Sequence, residues 1–300
     1  MRNRVDSTVL AVFMLTVIVG GTNFVAVRFS NRELDPFWGA GLRFALSAGL
    51  LFALVAAQRI PLPRRDALLA TALYGVLTFG VVYGLLYWAL LEAPAALGAI
   101  AIAIVPLLTF VMAVGLGLER FTWQRLAGGG VAFTGIAVVF ADQTGTTVSP
   151  LTMLALLGSA VAGAASAVVA KQIPRSHPIA TNAVAMVPGA ALLLVLAALA
   201  GDRAALPVAV EVQIAFVYLV VSTLALFVSF IFVIQRWTAS ATMYASVLWP
   251  LVAVALGFAF AGEAVSLAFV VGTLLVMAGV YVSTLTPAVT AVSPRPATPS

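Results

Sequence analysis

The chain is a succession of apolar segments, each about as long as a membrane-spanning helix, with most of its charges in the short stretches between them. Such a helix needs about 20 predominantly apolar residues to cross the hydrocarbon core. Of the 300 residues, 63% are hydrophobic and 8% are charged, whereas a soluble protein carries about 25% charged residues. We therefore predict an all-α integral membrane protein with ten transmembrane helices, at residues 8–27, 36–57, 67–91, 94–118, 122–140, 150–170, 178–200, 211–235, 239–261 and 265–285.

The basic residues are distributed unevenly between the two sides of these predicted spans. Eleven Lys and Arg residues lie on the side of both chain ends, three lie on the opposite side, and Arg43 lies within a span. Because Lys and Arg concentrate in cytoplasmic loops, we expect residues 1–7 and the tail 286–300 to be cytoplasmic. The Pro-, Ser- and Thr-rich tail is expected to be disordered. The net charge of +5 then requires no binding of nucleic acid.

The chain also contains an internal duplication. A shift of 144 residues places the third to fifth spans on the eighth to tenth and aligns Tyr74 with Tyr218, Thr78 with Ser222, Pro106 with Pro250, Glu119 with Glu263, Gly128 with Gly272 and Gly135 with Gly279. A shift of 142 residues aligns the first two spans with the sixth and seventh. We predict two five-helix repeats, residues 8–140 and 150–285. Because five is odd, the second repeat is inverted, and inverted repeats enclose a substrate site near the bilayer midplane.

Local motifs carry a family resemblance. Asp-Pro precedes the "LRF" helix, a proline lies within the fourth and ninth spans, and Glu119 precedes "RFTWQRLAGGGVAFTGI". These features resemble the drug/metabolite transporter superfamily, its EamA-type ten-helix exporters and, among them, amino-acid exporters of the YddG kind. The resemblance covers about residues 8–285. It implies a bacterial inner-membrane protein whose central cavity opens alternately to each side, with lipid and a small-molecule substrate as partners and a homodimer as one option for its assembly.

Arg43 is the one basic residue inside a predicted span. It lies about 10 Å from the start of its helix at 1.5 Å per residue, and a charge deep in hydrocarbon costs at least about 2.5 kcal/mol. Its neighbours on the same helical face include Gly39, Ala40 and Ser47, so we expect it to face the protein interior. Two roles stay open, a contact with a substrate carboxylate and a structural or gating tie between helices.

Further polar and aromatic residues are candidates for the substrate cavity. Aromatic residues at helical spacing in the third span share one face, and the ninth span places polar and aromatic residues together near mid-depth. Each of these residues can also be explained by ordinary helix packing. With Arg43, the predicted cavity residues are Asn23, Phe79, Tyr83, Tyr87, Tyr244, Ser246 and Trp249.

Glycines and prolines within the spans are candidates for hinges. A proline removes one helical hydrogen bond and bends its helix, and paired glycines weaken a helix. The predicted hinge residues are Gly20, Gly21, Pro106, Pro188 and Pro250. A static kink is the alternative at each proline.

The sequence argues against several other functions. Every Asp and Glu lies in a loop or near the end of a span, the one His lies in a loop, and Cys is absent. We therefore expect no metal, no cofactor and no catalytic site, and a facilitator rather than a proton-coupled pump. The leading hypothesis is export of amino acids, aromatic or hydrophobic ones favoured, or of similar small metabolites. The alternatives are efflux of hydrophobic drugs or toxic cations and, without transport, a duplicated membrane scaffold.

Overall fold

The computed structural model describes residues 7–143, 148–243, 245–261 and 266–284 of the chain. Within these ranges the regular structure is helical throughout, with no β-strand. The helices are α1 (Ser7–Ser30), α2 (Pro36–Ala57), α3 (Arg65–Gly75), a π-helical segment (Val76–Val82), α4 (Tyr83–Ala89), α5 (Ala95–Ile102), α6 (Val105–Gly115), α7 (Trp123–Gln143), α8 (Pro150–Gln172), α9 (Pro178–Ala200), α10 (Val210–Ile234), α11 (Ala239–Met243), α12 (Ala245–Ala261) and α13 (Leu267–Thr284).

Seven segments of the described chain are long and apolar enough to cross a membrane. They correspond to the first four and the sixth to eighth predicted spans: Thr8–Ser30, Pro36–Ala57, Arg65–Ala89, Ala95–Gly115, Pro150–Gln172, Pro178–Ala200 and Val210–Ile234. The other three predicted spans fall on α7, on α11 together with α12, and on α13. The protein is thus a multi-pass, all-helical membrane protein, and the count of ten spans stays a prediction.

Two of the spanning segments are interrupted. The third segment is π-helical over Val76–Val82, between α3 and α4. The fourth breaks after Ile102 and restarts at Val105, so that Pro106 lies in the first turn of α6, where its missing N–H costs no helical hydrogen bond. By contrast, α9 continues through Pro188 and α12 through Pro250. Helix α1 is also continuous through its glycine pair.

The packing of the helices repeats when the two halves of the duplication are exchanged. Helix α2 packs on α9, which is its equivalent in the other half, and α7 likewise packs on its equivalent α13. Helix α1 packs on α10 and α12, and its equivalent α8 packs on the third and fourth segments in the corresponding way. The helices that surround the centre therefore come from both halves in equal measure.

The same exchange holds for individual residues between α7 and α13. A Cβ atom added to Gly135 would meet the Gly272 carbonyl oxygen and the Val276 nitrogen. A Cβ atom added to Gly279 would meet the Gly128 carbonyl oxygen and the Ala132 nitrogen, which are the equivalent atoms at a shift of 144 residues. Such reciprocal contacts are those that two copies make across a two-fold axis.

Candidate functional site

Arg43 lies at the centre of a hydrogen-bond network that joins the two halves of the chain. Its side chain is fully buried. Its Nε donates to Thr223 Oγ1 at 2.8 Å, its Nη1 to the Tyr87 hydroxyl at 3.1 Å, and its Nη2 to Asn23 Oδ1 at 2.9 Å. Ser222 Oγ also donates to Asn23 Oδ1, at 3.1 Å. Four helices, α1, α2, α4 and α10, thus meet at one guanidinium.

The positive charge of Arg43 is stabilised by neutral groups. No carboxylate in the part of the chain that the structure describes pairs with it. The Phe44 and Tyr83 rings lie 5.1 and 5.2 Å from the guanidinium carbon, within the range of a cation–π contact. Hydrogen bonds to a charged group contribute about 1.5–3 kcal/mol each, so three of them offset the cost of burying this charge.

A central cavity of about 100 Å³ lies beside this network. Its walls come from both halves of the chain: α1, the π-helical segment, α4, α5 and α6 on one side, and α8, α10, α11 and α12 on the other. Most of the lining side chains are apolar or aromatic, and none of those described is charged. The polar lining consists of Asn23 and five hydroxyl side chains, Thr16, Thr78, Ser166, Thr242 and Ser246, in addition to the Tyr83 phenol.

The structure divides the predicted cavity residues into three groups. Asn23, Tyr83, Ser246 and Trp249 line the cavity. Arg43, Phe79 and Tyr87 are fully buried behind it and are not among its lining residues. Tyr244 lies outside the described residues.

The glycine pair of α1 serves close packing. A Cβ atom on Gly20 would overlap the Trp249 indole, and one on Gly21 would meet Val252. Trp249 Nε1 in turn donates to the Thr16 carbonyl oxygen at 3.1 Å. These glycines therefore bring α12 against α1 and fix Trp249 in the cavity wall, while a hinge role for them stays a prediction.

Some residues of the Arg43 network and of the cavity wall were not predicted from the sequence. Thr223 and Ser222, both in α10, complete the Arg43 network, and Thr78 faces the cavity from the π-helical segment. The duplication aligned Thr78 with Ser222 and so gave one signal for them. No sequence pattern indicated the π-helical segment.

Carboxylates join the two halves at the end of the bundle where α2 begins. Asp202 Oδ2 accepts hydrogen bonds from the backbone N–H groups of Phe37 and Trp38 at 2.9 and 3.0 Å. Asp35 Oδ2 accepts from the Arg203 backbone N–H at 2.7 Å. That hydrogen bond, aided by the Arg203 guanidinium, holds the pKa of Asp35 below its ordinary value.

A third carboxylate at this end belongs to Glu92. Its Oε2 accepts hydrogen bonds from the Thr152 hydroxyl at 2.7 Å and from the Ser149 backbone N–H at 3.2 Å. The bond from Thr152, followed by those from Ser149, lowers the pKa of Glu92. The start of α8 is therefore tied to the loop that follows α4.

Among the residues that the structure describes, no group of three or more His, Cys, Asp or Glu could hold a metal ion. The site is a central cavity with no charged side chain among its described lining residues, and the buried cation Arg43 lies beside it.

Comparisons with known proteins agree with this architecture. The EamA-like transporter family model matches the chain twice, at residues 7–141 and 150–285. A probable terminal-alkyne amino-acid exporter of Streptantibioticus cattleyicolor is 27% identical over 89% of this chain and 90% of its own. The uncharacterized inner membrane transporter YedA of Escherichia coli K12 is 30% identical over 85% of this chain and 83% of its own. A probable amino-acid metabolite efflux pump of the same strain is 28% identical over 60% and 58%.

A solved crystal structure supports the fold itself. It covers 93% of this chain and 98% of its own at a TM-score of 0.69 and 19% identity. The double match to the family model confirms the resemblance found in the sequence motifs, and the relatives are named as transporters. The chain belongs to the EamA-like transporter family of the drug/metabolite transporter superfamily.

Proposed function

We propose that this protein exports amino acids, preferably aromatic or hydrophobic ones, or similar small metabolites by alternating access. The observation that carries the proposal is the central cavity, which is lined by both halves of the chain. Beside this cavity, the Arg43 network joins the two halves. A solute in that cavity touches both halves at once. A movement of one half against the other can then expose it to one side of the membrane and afterwards to the other.

The proposed mechanism needs two inverted repeats with ten spans in total, residues 8–140 and 150–285. The reciprocal contacts of Gly135 and Gly279 support a two-fold relation between the halves. If each half crosses the membrane five times, that axis lies in the membrane plane and the second half is inverted. With the termini in the cytoplasm of a bacterial cell, as the basic residues indicate, the carboxylate ties of Asp35, Asp202 and Glu92 lie on the external side.

The chemistry of the cavity favours a solute with an apolar side chain. Phe24, Phe227 and Trp249 contribute aromatic faces to its wall, and Asn23 and the hydroxyl side chains offer hydrogen bonds for a polar head group. Sites for small molecules usually measure about 300–1,000 Å³, which exceeds the 100 Å³ found here. An aromatic amino acid therefore requires the helices around the cavity to move apart.

Efflux of hydrophobic drugs is the second candidate, and one observation favours it. Each guanidinium nitrogen of Arg43 bonds to a protein oxygen, so the arginine does not present itself directly to a solute carboxylate. A neutral or cationic hydrophobic solute would meet the same apolar walls. The absence of a carboxylate among the described lining residues favours the neutral solute of the two.

Transport of labelled L-phenylalanine in proteoliposomes, with and without a pH gradient, tests the proposal. We expect uptake into vesicles preloaded with unlabelled substrate, at a rate that the pH gradient does not change. Gly163→Trp should abolish uptake because Gly163 lines the cavity. Gly49→Trp is the matched control, since a side chain there meets nothing within 4 Å. Uptake of hydrophobic dyes with no uptake of any amino acid would select the second candidate.

A further inference from the structure

Thr78 is buried, with only 6% of its surface exposed, yet its hydroxyl group has no hydrogen-bond partner. It lies in the π-helical segment and lines the central cavity. An unpaired buried hydroxyl destabilises the folded state, and π-helical segments occur frequently at functional sites. The position therefore combines an energetic cost with access to a cavity.

The other Ser and Thr side chains of the cavity wall differ from Thr78. Thr16, Ser166, Thr242 and Ser246 each donate to a backbone carbonyl oxygen three or four residues earlier in the chain, at 2.6–3.0 Å. Their protons are engaged, and their oxygens can only accept. Among these five side chains, Thr78 alone has an O–H bond that is still available to a solute.

The duplication shows what kind of group Thr78 lacks. Its equivalent in the second half is Ser222, which donates to the amide oxygen of Asn23. The residue equivalent to Asn23 is Ala165, in α8, which packs against the π-helical segment. Ser222 Oγ also lies 3.3 Å from the Leu219 carbonyl oxygen, but the amide oxygen that accepts its shorter bond has no counterpart at position 165.

The rest of the network is also apolar on that side. At the positions equivalent to Arg43, Tyr87 and Thr223 the chain has Ala185, Ile231 and Phe79. Of the five equivalent positions compared, Thr78 alone carries a polar side chain on that side. A solute oxygen could occupy the position that an asparagine oxygen occupies in the other half.

We propose that Thr78 is a substrate-binding residue and that its O–H donates to a carboxylate or carbonyl oxygen of the transported solute. This inference rests on the proposed function, because it assigns the carboxylate end of the solute within the same cavity. The apolar part of the solute then lies along the aromatic walls. The site selects amino acids over the corresponding amines.

Tyr74 offers the competing explanation. It lies one turn before Thr78, and its Oη, which donates to Asn182 Oδ1 at 3.4 Å, still has lone pairs that could accept from the Thr78 hydroxyl. If Tyr74 were the true partner of Thr78, the Thr78 hydroxyl would stabilise the fold and have no role in binding. Thr78→Val would then lower the unfolding temperature of the protein without solute.

The test compares L-phenylalanine with phenethylamine, which lacks the carboxylate. Their affinities are measured from the rise in the unfolding temperature of purified protein and, separately, from inhibition of uptake in proteoliposomes. We expect Thr78→Val to weaken binding of L-phenylalanine about tenfold and to change that of phenethylamine by less than about twofold. Thr78→Ser should keep the parent affinities. Thr242→Val, the matched control, should change both affinities by the same factor.

Without solute, Thr78→Val should unfold at the same temperature as the parent protein or higher, because no hydrogen bond is lost. Equal weakening of the binding of both probes, a lower unfolding temperature of Thr78→Val without solute, or no stabilisation of the parent by L-phenylalanine would overturn the assignment. Selective stabilisation of the parent by L-phenylalanine without any transport would overturn the proposed function and leave the Thr78 site standing. If L-phenylalanine is transported but Thr78→Val affects the binding of both probes equally, the Thr78 site is overturned and the proposed function stands.

Discussion

The duplication places two related helix contacts in one molecule, and they are built in opposite ways. Where α2 meets α10, the buried Arg43 bonds to Thr223, and Ser47 Oγ donates to the Val220 carbonyl oxygen at 3.2 Å. In the equivalent contact of α9 with α3, Ala185 takes the place of the arginine. There a Cβ atom on Gly75 would overlap the Ala185 carbonyl oxygen. We call the first the polar contact and the second the glycine contact.

The difference bears on how the two halves can move. The glycine contact is held by close backbone packing and one long hydrogen bond, from Tyr74 to Asn182 at 3.4 Å. Such packing loses about a quarter to a half of its dispersion energy once a gap of about 0.5–1 Å opens. The polar contact is held by hydrogen bonds, which water can replace when the helices separate. We therefore interpret the polar contact as the one that opens during transport and the glycine contact as the one that persists.

The largest effect is expected from removing the charge of the polar contact. Arg43→Ala leaves the Tyr87 hydroxyl without its partner and creates a cavity, which together should lower the free energy of unfolding by about 4 kcal/mol. Arg43→Met is the matched control, because it fills the volume and buries no charge, and it should lose less than half as much. Unfolding in mixed SDS micelles measures both. Equal losses would mean that the cavity contributes little and that the loss comes from the hydrogen bonds, which both variants lack.

The glycine contact should respond to one added methyl group. Gly75→Ala forces α3 away from α9, and overpacking of this kind costs about 1–3 kcal/mol. Gly49→Ala provides the control, since its added methyl group meets nothing within 4 Å and alanine favours the helix by about 1 kcal/mol. The same unfolding measurement compares the two. If Gly75→Ala were as stable as the parent, α3 and α9 would be packed less closely than the structure shows, and the glycine contact could not be the contact that persists during transport.

The sequence predicted the helical membrane fold, the family and the interior position of Arg43, because each follows from strong local signals. Long apolar runs, prolines that align between the two halves at a fixed offset, and a lone charge within a span can all be read directly from the amino-acid sequence. The partners Ser222 and Thr223 were not predicted, because hydroxyl side chains are common in spans and only the packing of α10 against α1 and α2 selects these two. The π-helical segment was missed because no residue pattern distinguishes it from an α-helix in an apolar run.

A smaller effect is expected from a single hydrogen bond of the polar contact. Tyr87→Phe removes the oxygen that accepts from Arg43 Nη1 and should cost about 1.5 kcal/mol. In an Arg43→Met background the same change should cost almost nothing, since no guanidinium then needs the oxygen. This double-mutant cycle isolates the coupling between the two residues. Additive losses would show that the Tyr87 hydroxyl stabilises the fold independently of Arg43.

The smallest effect concerns the ends of the helices, where pH should act on the carboxylates that join the two halves and leave the glycine contact unchanged. Asp35, at the start of α2, has a lowered pKa because it accepts hydrogen bonds from Arg203. A carboxylate whose folded pKa is lowered contributes stability above its ordinary value of 3.8, and loses it as the pH falls through the folded pKa. Ala185 and Gly75 cannot titrate.

We therefore expect the unfolding temperature of the parent to fall slightly below about pH 4, with a small amplitude because Asp35 and Arg203 are partly exposed to solvent. Asp35→Asn should flatten part of this decline, and Glu92→Gln should flatten another part, since the pKa of Glu92 is lowered as well. If Asp35→Asn kept the parent slope, the bond to Arg203 would not stabilise the start of α2, and the stability of this end of the protein would not depend on that carboxylate.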